Sequence, residues 1–279
     1  MEKYPSAAGP IGVFDSGYGG LTILKEIRRA MPEYDYLYLG DNARAPYGTR
    51  SFDVVYRFTL DAVKALFSRG CHLVILACNT ASAKALRTIQ QHDLPLLDPD
   101  RRVLGVIRPT VEAIGNISDG TVGIMATPGT VSSGSYDIEV AKFFPKFRTV
   151  SEACPMLVPL VENKEADGPG ADYFVQKYVD RLFEQDTDID TIVLACTHYP
   201  LLLPKIQKAV AERARVITQG EIVARSLVDY MERHPDMAAK CTRGGTCRYL
   251  TTENPDKFND LARIFLNEPV KVDHIDIMS

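Results

Sequence analysis

With 279 residues, 46% hydrophobic and 24% charged, the chain falls in the ordinary globular range, which excludes a mainly disordered, collagen-like or coiled-coil state. Its length predicts one large or two medium α/β units. Thirty-two Lys and Arg against 36 Asp and Glu leave a net charge of −4, which argues against a nucleic-acid partner and against a polybasic membrane surface.

Met1-Glu2-Lys3-Tyr4-Pro5 carries no charged-then-apolar export signal. The longest apolar runs, such as 73–78, are far too short to span a bilayer. The six cysteines are therefore read as thiols in a reducing cytoplasm, not as a disulfide framework. In chain order, residues 11–14, 36–39, 73–77, 103–107, 121–125, 191–195 and 215–217 are short apolar runs that read as buried strands. Helical patterns lie between them. The clearest starts at Ser51, an N-cap candidate, and sets Val55, Phe58, Ala62, Val63 and Leu66 on one face. Apolar strands alternating with helices predict parallel sheets covered on both faces, with ligands bound beyond the carboxyl ends of the strands.

The chain also aligns with itself. Leu73-Val74-Ile75-Leu76-Ala77-Cys78-Asn79-Thr80 matches Thr191-Ile192-Val193-Leu194-Ala195-Cys196-Thr197-His198, 118 residues on. Ile11-Gly12-Val13-Phe14-Asp15-Ser16-Gly17 matches the stretch from Val122 to Pro128, 111 residues on. The expected fold is therefore α/β, with two similar half-domains, each a mostly parallel sheet covered by helices. The halves are expected to be related by a pseudo-two-fold axis, with the active site between them. The polar, Pro-containing stretch 93–102 places the boundary so that residues 1–98 and 211–279 form one discontinuous lobe and 99–210 the other.

Each repeat ends its third strand in Leu-Ala-Cys followed by polar residues. A lone buried cysteine is most often an inert core residue. Two thiols at equivalent positions of a repeat, each just ahead of a helical run, favour chemistry instead, because free backbone N–H groups there favour a thiolate. Two sulfurs facing one substrate could remove a proton from one side of a carbon and return one to the other, exchanging acid and base roles on reversal. A redox pair would need a Cys-x-x-Cys spacing or a resolving partner, and neither is present. The glycine-rich stretch from Asp15 to Thr22 is not a nucleotide loop: Thr22 stands where the third glycine belongs, and no Gly-Lys-Ser/Thr follows. Asp15 is read as holding an ammonium or assisting a thiol, and Ser16 as a hydrogen-bonding partner of the substrate. The loop from Gly40 to Gly48 is rich in donors, with backbone N–H groups at Tyr47 and Gly48 suited to a carboxylate. Cys71 and Cys154 read as core or near-surface residues. Cys241 and Cys247 match no zinc spacing, so no metal is expected. His72, His92 and His234 read as surface residues.

Taken together, Phe14-Asp15-Ser16-Gly17, Gly19-Gly20-Leu21-Thr22, Gly40-Asp41 with Arg44 and Pro46-Tyr47-Gly48, Ala77-Cys78-Asn79-Thr80-Ala81, Cys154-Pro155 through Glu162, and Cys196-Thr197-His198-Tyr199-Pro200-Leu201 resemble the successive signatures of the bacterial glutamate racemase family, in order and across almost the whole chain. The resemblance implies a cofactor-independent isomerase that interconverts L- and D-glutamate and supplies D-glutamate for peptidoglycan. The catalytic cysteines fall on Cys78, acting on the D-enantiomer, and Cys196, acting on the L-enantiomer, with Asp15, His198 and Glu162 as auxiliaries. Substrate contacts fall on Asp15, Ser16, Tyr47, Gly48, Asn79, Thr80, Thr197 and His198, and on Thr127 and Thr130 lining the cleft. Glutamate is the only expected small-molecule partner, and a homodimer is the expected assembly. Aspartate, hydantoin or maleate chemistry on the same scaffold, a binding protein without activity, and a thiol-redox protein are the alternatives. One departure is that many members read Asp-Ser after the last main strand, where this chain has Thr218-Gln219-Gly220. The other is the tail from Cys241, which the pattern constrains less.

Overall fold

A strand with no polar face must be covered on both sides, and the central strands of this chain have none. The computed structural model describes residues 4–277, so Met1–Lys3, part of the N-terminus read for an export signal, lie outside the described residues. Among the described residues ten strands run in chain order: β1 (Ile11–Asp15), β2 (Tyr36–Gly40), β3 (Leu73–Leu76), β4 (Arg102–Gly105), β5 (Thr121–Ala126), β6 (Arg148–Ala153), β7 (Thr191–Ala195), β8 (Arg215–Ile217), β9 (Cys247–Thr251) and β10 (Val272–His274). They form a six-stranded sheet of order β10-β9-β2-β1-β3-β4 and a four-stranded sheet of order β6-β5-β7-β8. Every pairing is parallel.

The order β2-β1-β3-β4 recurs as β6-β5-β7-β8. Its register recurs too: Gly12 pairs with Val74 in one sheet, and Gly123 with Ile192 in the other. Every residue of β1, β3, β5 and β7 is buried. The expected α/β architecture of two similar parallel sheets is thus present, but its boundaries move. β4 pairs with β3, so the first unit runs past residue 98. β8 pairs with β7, so the second unit runs past residue 210. These are the last and shortest-buried strands of each repeat, and their exposed ends blur the pattern that marks a buried strand. The apolar run read as 103–107 is also divided: β4 ends at Gly105, and a helix, Ile107–Ile114, begins after Val106.

Helix Phe52–Phe67 starts where Ser51 accepts from the Val54 N–H, and it buries Val55, Ala62, Val63 and Leu66 completely. Full burial of each of the larger apolar side chains contributes about 1.5–3 kcal/mol before chain entropy is counted. One continuous apolar cluster joins the two sheets: Val13, Leu24 and Tyr38 from the first side share it with Leu157, Leu194 and Tyr199 from the second. Helix Gly220–Arg233, which follows β8, packs on helix Leu21–Ala30 and on Ile107–Ile114. Gly220 allows a close approach there, since a Cβ would sit 2.7 Å from Glu26 Cγ and the Glu26 side chain would have to shift. Among the described residues no helix is long and apolar enough to cross a membrane.

His72 is a correction. It is 5% exposed at the start of β3, where Nε2 meets Ala7 O at 2.9 Å beneath the N-terminal segment. His234 is half-buried, with its ring stacked on Tyr230 at 4.1 Å, and His92 is exposed. Cys71, Cys154 and Cys241 are buried, and all six thiols are free.

Candidate active site

The carboxyl ends of β1 and β3 in one sheet and of β5 and β7 in the other open onto one cavity of about 310 Å³. It is lined by Ser16, Tyr47, Gly48, Cys78, Asn79, Thr80, Thr127, Glu162, Cys196, Thr197 and His198, with Cys154 beside them. Eleven of the thirteen expected site residues therefore meet on one surface. Among the described residues, no cationic side chain apart from His198 lines it.

Asp15 and Thr130 do not line the cavity, which corrects the expectation of direct contact. Asp15 is wholly buried behind the wall, with Oδ1 accepting from the Gly17 N–H at 2.9 Å. It shapes the turn after β1. Thr130 Oγ1 lies 3.3 Å from Thr80 Oγ1 and 3.2 Å from Thr127 Oγ1, so it stands behind the two hydroxyls that do face inward. Thr80 and Thr127 are themselves 2.9 Å apart, one from each side of the cleft.

Cys78 caps the short helix Asn79–Lys84, and its Sγ accepts from the Ala81 N–H at 3.4 Å. Its thiol donates to Ser16 Oγ at 3.5 Å. Burial and then the Asp15 charge push the thiol up to about 12, against smaller opposing effects of Ser16 and the Ala81 N–H. Burial also raises the Asp15 carboxyl, with the His198 charge and the Gly17 and Gly20 N–H groups working against it. Burial and the Asp15 charge keep Cys78 in its protonated form.

Cys196 has different company. Its Sγ lies 4.0 Å from His198 Nδ1, and His198 Nε2 lies 2.9 Å from Glu162 Oε1. Burial lowers the imidazole, but contacts with Cys196 and Glu162 outweigh it and hold His198 up at about 10. The ring is thus an imidazolium at neutral pH, with one N–H turned to Glu162 and the other toward the sulfur. Phe265 packs edge-on against it at 5.5 Å. Gly19 explains the second glycine of the run after Asp15: a Cβ there would come 2.2 Å from Thr197 Oγ1 and 2.5 Å from His198 Nδ1. The loop after β1 therefore fits against the loop after β7 only without a side chain. Thr22 completes this contact, its hydroxyl lying 3.0 Å from Thr197 O and 2.8 Å from Gly19 O.

Tyr47 is held from outside the cavity. Its hydroxyl donates to Asp41 Oδ2 at 2.5 Å, and Asp41 is paired with Arg44 at 2.7 Å. Burial, reinforced by Asp41, raises this phenol well above its ordinary range, so it remains a donor. Gly48 O accepts from the Gly129 N–H at 2.7 Å, a backbone bridge between the two sides.

Sequence reasoning missed Thr110, Tyr136 and Gln219. They form a buried cluster behind Asn79, with Gln219 Nε2 donating to Thr110 Oγ1 and Tyr136 OH, each at 2.8 Å. The altered triplet Thr218-Gln219-Gly220 was a signal, though its partner residues carry none.

The family of Asp/Glu/hydantoin racemases matches residues 12–227. A glutamate racemase from Ruegeria pomeroyi is 40% identical over 276 residues, covering 93% of this chain and 97% of its own. The crystal structure of a glutamate racemase isoform from Bacillus anthracis superposes with a TM-score of 0.86 at 33% identity, covering 96% of this chain and 97% of that one. A glutamate racemase from Francisella tularensis, solved in complex with D-glutamate, gives a TM-score of 0.86 at 29% identity, with 97% and 98% covered.

Proposed function

The chain belongs to the Asp/Glu/hydantoin racemase family, and from that premise we propose that it interconverts L- and D-glutamate by passing a proton at the α-carbon between two cysteines. The observation that carries this reading is a pair of thiols, Cys78 and Cys196, brought by equivalent strands of a duplicated sheet to one cavity.

With L-glutamate bound, Cys196 as thiolate takes the α-proton and becomes a thiol. Cys78 as thiol then gives its proton to the opposite face and becomes the thiolate. Reversal starts from that state, so no electron is gained or lost and no cofactor is required for balance. The protonated resting form of Cys78 suits it to be the acid when the reaction starts from L-glutamate. His198, held as an imidazolium by Glu162, places a positive charge beside the other sulfur. The α-proton is only weakly acidic, so fixed donors must carry much of the negative charge that develops toward the α-carboxylate. Ser16, Asn79, Thr80 and Thr197 supply hydroxyls and an amide for this, and Thr127 adds a third threonine hydroxyl from across the cleft. Asp15 acts from behind the wall, through its charge on Cys78 and its hold on the Gly17 turn. The free thiols fit the reducing cytoplasm, and there the product would supply D-glutamate to peptidoglycan. A homodimer is the proposed assembly, which sedimentation would test.

The function is tested by incubating the protein with L-glutamate in D₂O without added pyridoxal phosphate. Loss of optical rotation together with deuterium at the α-carbon is expected. Turnover of aspartate alone would change the substrate, and silence toward every amino acid would remove the enzymatic reading.

A further inference from the structure

Asn79 follows Cys78 and lines the cavity, yet its amide is engaged mostly from behind. Its Oδ1 accepts from Tyr136 OH at 2.7 Å; Gln219 Nε2, whose two hydrogens go to Thr110 and Tyr136, lies 3.3 Å from it. Its Nδ2 donates to Gln219 Oε1 at 2.6 Å. All four side chains of this cluster, Asn79, Thr110, Tyr136 and Gln219, are at most 3% exposed.

The direction of these bonds is fixed by one backbone carbonyl. The Thr110 hydroxyl spends its proton on Val106 O at 2.7 Å, so toward Gln219 it can only accept. Gln219 must therefore turn its NH₂ to Thr110 and its carbonyl to Asn79. Asn79 must then present Nδ2 to that carbonyl and Oδ1 to the phenol. Burial keeps the Tyr136 phenol protonated, so it donates while accepting from Gln219. Turning either amide over would set two donors or two acceptors face to face in a buried space, at about 1–3 kcal/mol for each group left unsatisfied. After these bonds are made, Asn79 retains one unspent hydrogen, and it is an N–H.

We infer that Gln219 is a positioning residue that locks the Asn79 amide with its carbonyl turned away and one N–H offered to a carboxylate oxygen of the substrate. This rests on the proposed racemisation of glutamate. It also assigns a task to the triplet Thr218-Gln219-Gly220, where the chain departs from the pattern it otherwise follows. Gln219 sits at the start of helix Gly220–Arg233, just after β8, so the crossover from the second sheet holds a donor that belongs to the first. The lock is neutral throughout, and its effect is one of orientation.

The test compares wild type with Gln219→Leu, Tyr136→Phe and Thr110→Val, each first checked for a cooperative melting transition. KM for both enantiomers is expected to rise about tenfold in Gln219→Leu, which corresponds to ~1.4 kcal/mol, with kcat changed less than threefold. Inhibition by glutarate, a dicarboxylate that cannot be racemised, is expected to weaken in parallel. Thr110→Val frees the Gln219 amide to turn and is expected to raise KM about threefold, as is Tyr136→Phe. These two milder variants carry the test if Gln219→Leu does not fold. Unchanged KM and unchanged glutarate inhibition in folded variants would overturn the inference alone. A fall in kcat at constant KM would also overturn it, since the cluster would then act on the thiol. A wild-type protein silent toward glutamate would instead overturn the functional reading, and this inference with it.

Discussion

Cys78 and Cys196 stand at the same place in two copies of one sheet, and almost nothing around them is the same. Behind Cys78 lies a buried carboxylate, beside it a serine hydroxyl, and its proton is held tightly. Beside Cys196 lies an imidazolium anchored by Glu162. The sheets place two sulfurs by repetition, and the loops after β1 and β7 then give them unlike neighbours. On the proposed mechanism, two chemically identical groups would acquire separate tasks through environment, as paired catalytic acids and bases do elsewhere. A pair of identical halves could not do this, because each thiol would carry the same neighbours.

The sharpest way to break the comparison is to remove one sulfur at a time. Cys78→Ala and Cys196→Ala should each reduce racemisation by about 10²–10⁴-fold, the usual worth of a positioned acid or base. Because the two enantiomers have equal free energy, kcat/KM must stay equal in the two directions for every variant, so the sides are distinguished by isotope exchange. Each variant should still exchange the α-proton of at most one enantiomer, and not the same one. If either variant racemises at a near-normal rate, the two sulfurs do not share the work.

Gly19→Ala disturbs only the Cys196 side. The new methyl would stand 2.2 Å from Thr197 Oγ1 and 2.5 Å from His198 Nδ1, so that loop must move by an ångström or so. Misplacement on that scale costs about 10²-fold in kcat/KM, measured by polarimetry. A rate within threefold of wild type would show that the loop position is not critical.

The Glu162–His198 pair predicts a pH dependence. His198 is raised from 6.5 to about 10, so the benefit of its charge is complete below the ordinary imidazole range and is lost as pH climbs through about 10. Both activity and this part of folding stability should decline on that alkaline limb. Glu162→Gln removes the carboxylate and should move the limb of the kcat/KM profile down by about one pH unit. An unmoved limb would detach the imidazolium from Glu162. Thr22→Val is the mildest probe: loss of the hydroxyl's contact with Thr197 O should cost about 1 kcal/mol, seen as a small fall in melting temperature with Cys78-side exchange intact.

How much of this was legible in the chain follows from burial. β1, β3, β5 and β7 are buried along their whole length and apolar apart from Asp15, Thr121 and Thr191 at their ends, so they were plain to read, as was the Leu-Ala-Cys at the ends of β3 and β7. β6 was missed because its residues, Arg148 to Ala153, are exposed or half-exposed on a sheet edge and mostly polar, with Val150 and Ala153 the only apolar ones. β9 and β10 were missed because they join the first sheet from the tail, where local pattern cannot announce a distant partner. The thiols and most cavity residues sit just after strands and were found there. Asp15 and Thr130 were placed one layer too far forward, since a sequence gives no depth. Thr110, Tyr136 and Gln219 converge from three separate segments, and no local rule links them.

The cavity lining, bare of lysine and arginine, has a kinetic meaning. A ligand with two carboxylates approaches a chain of net charge −4 and gains little long-range attraction from that entrance. Capture must then depend on collision followed by short-range docking onto dipoles and the His198 imidazolium, whose charge is paired with Glu162. Background electrolyte should act on such an encounter mainly by screening the repulsion between that net charge and the ligand.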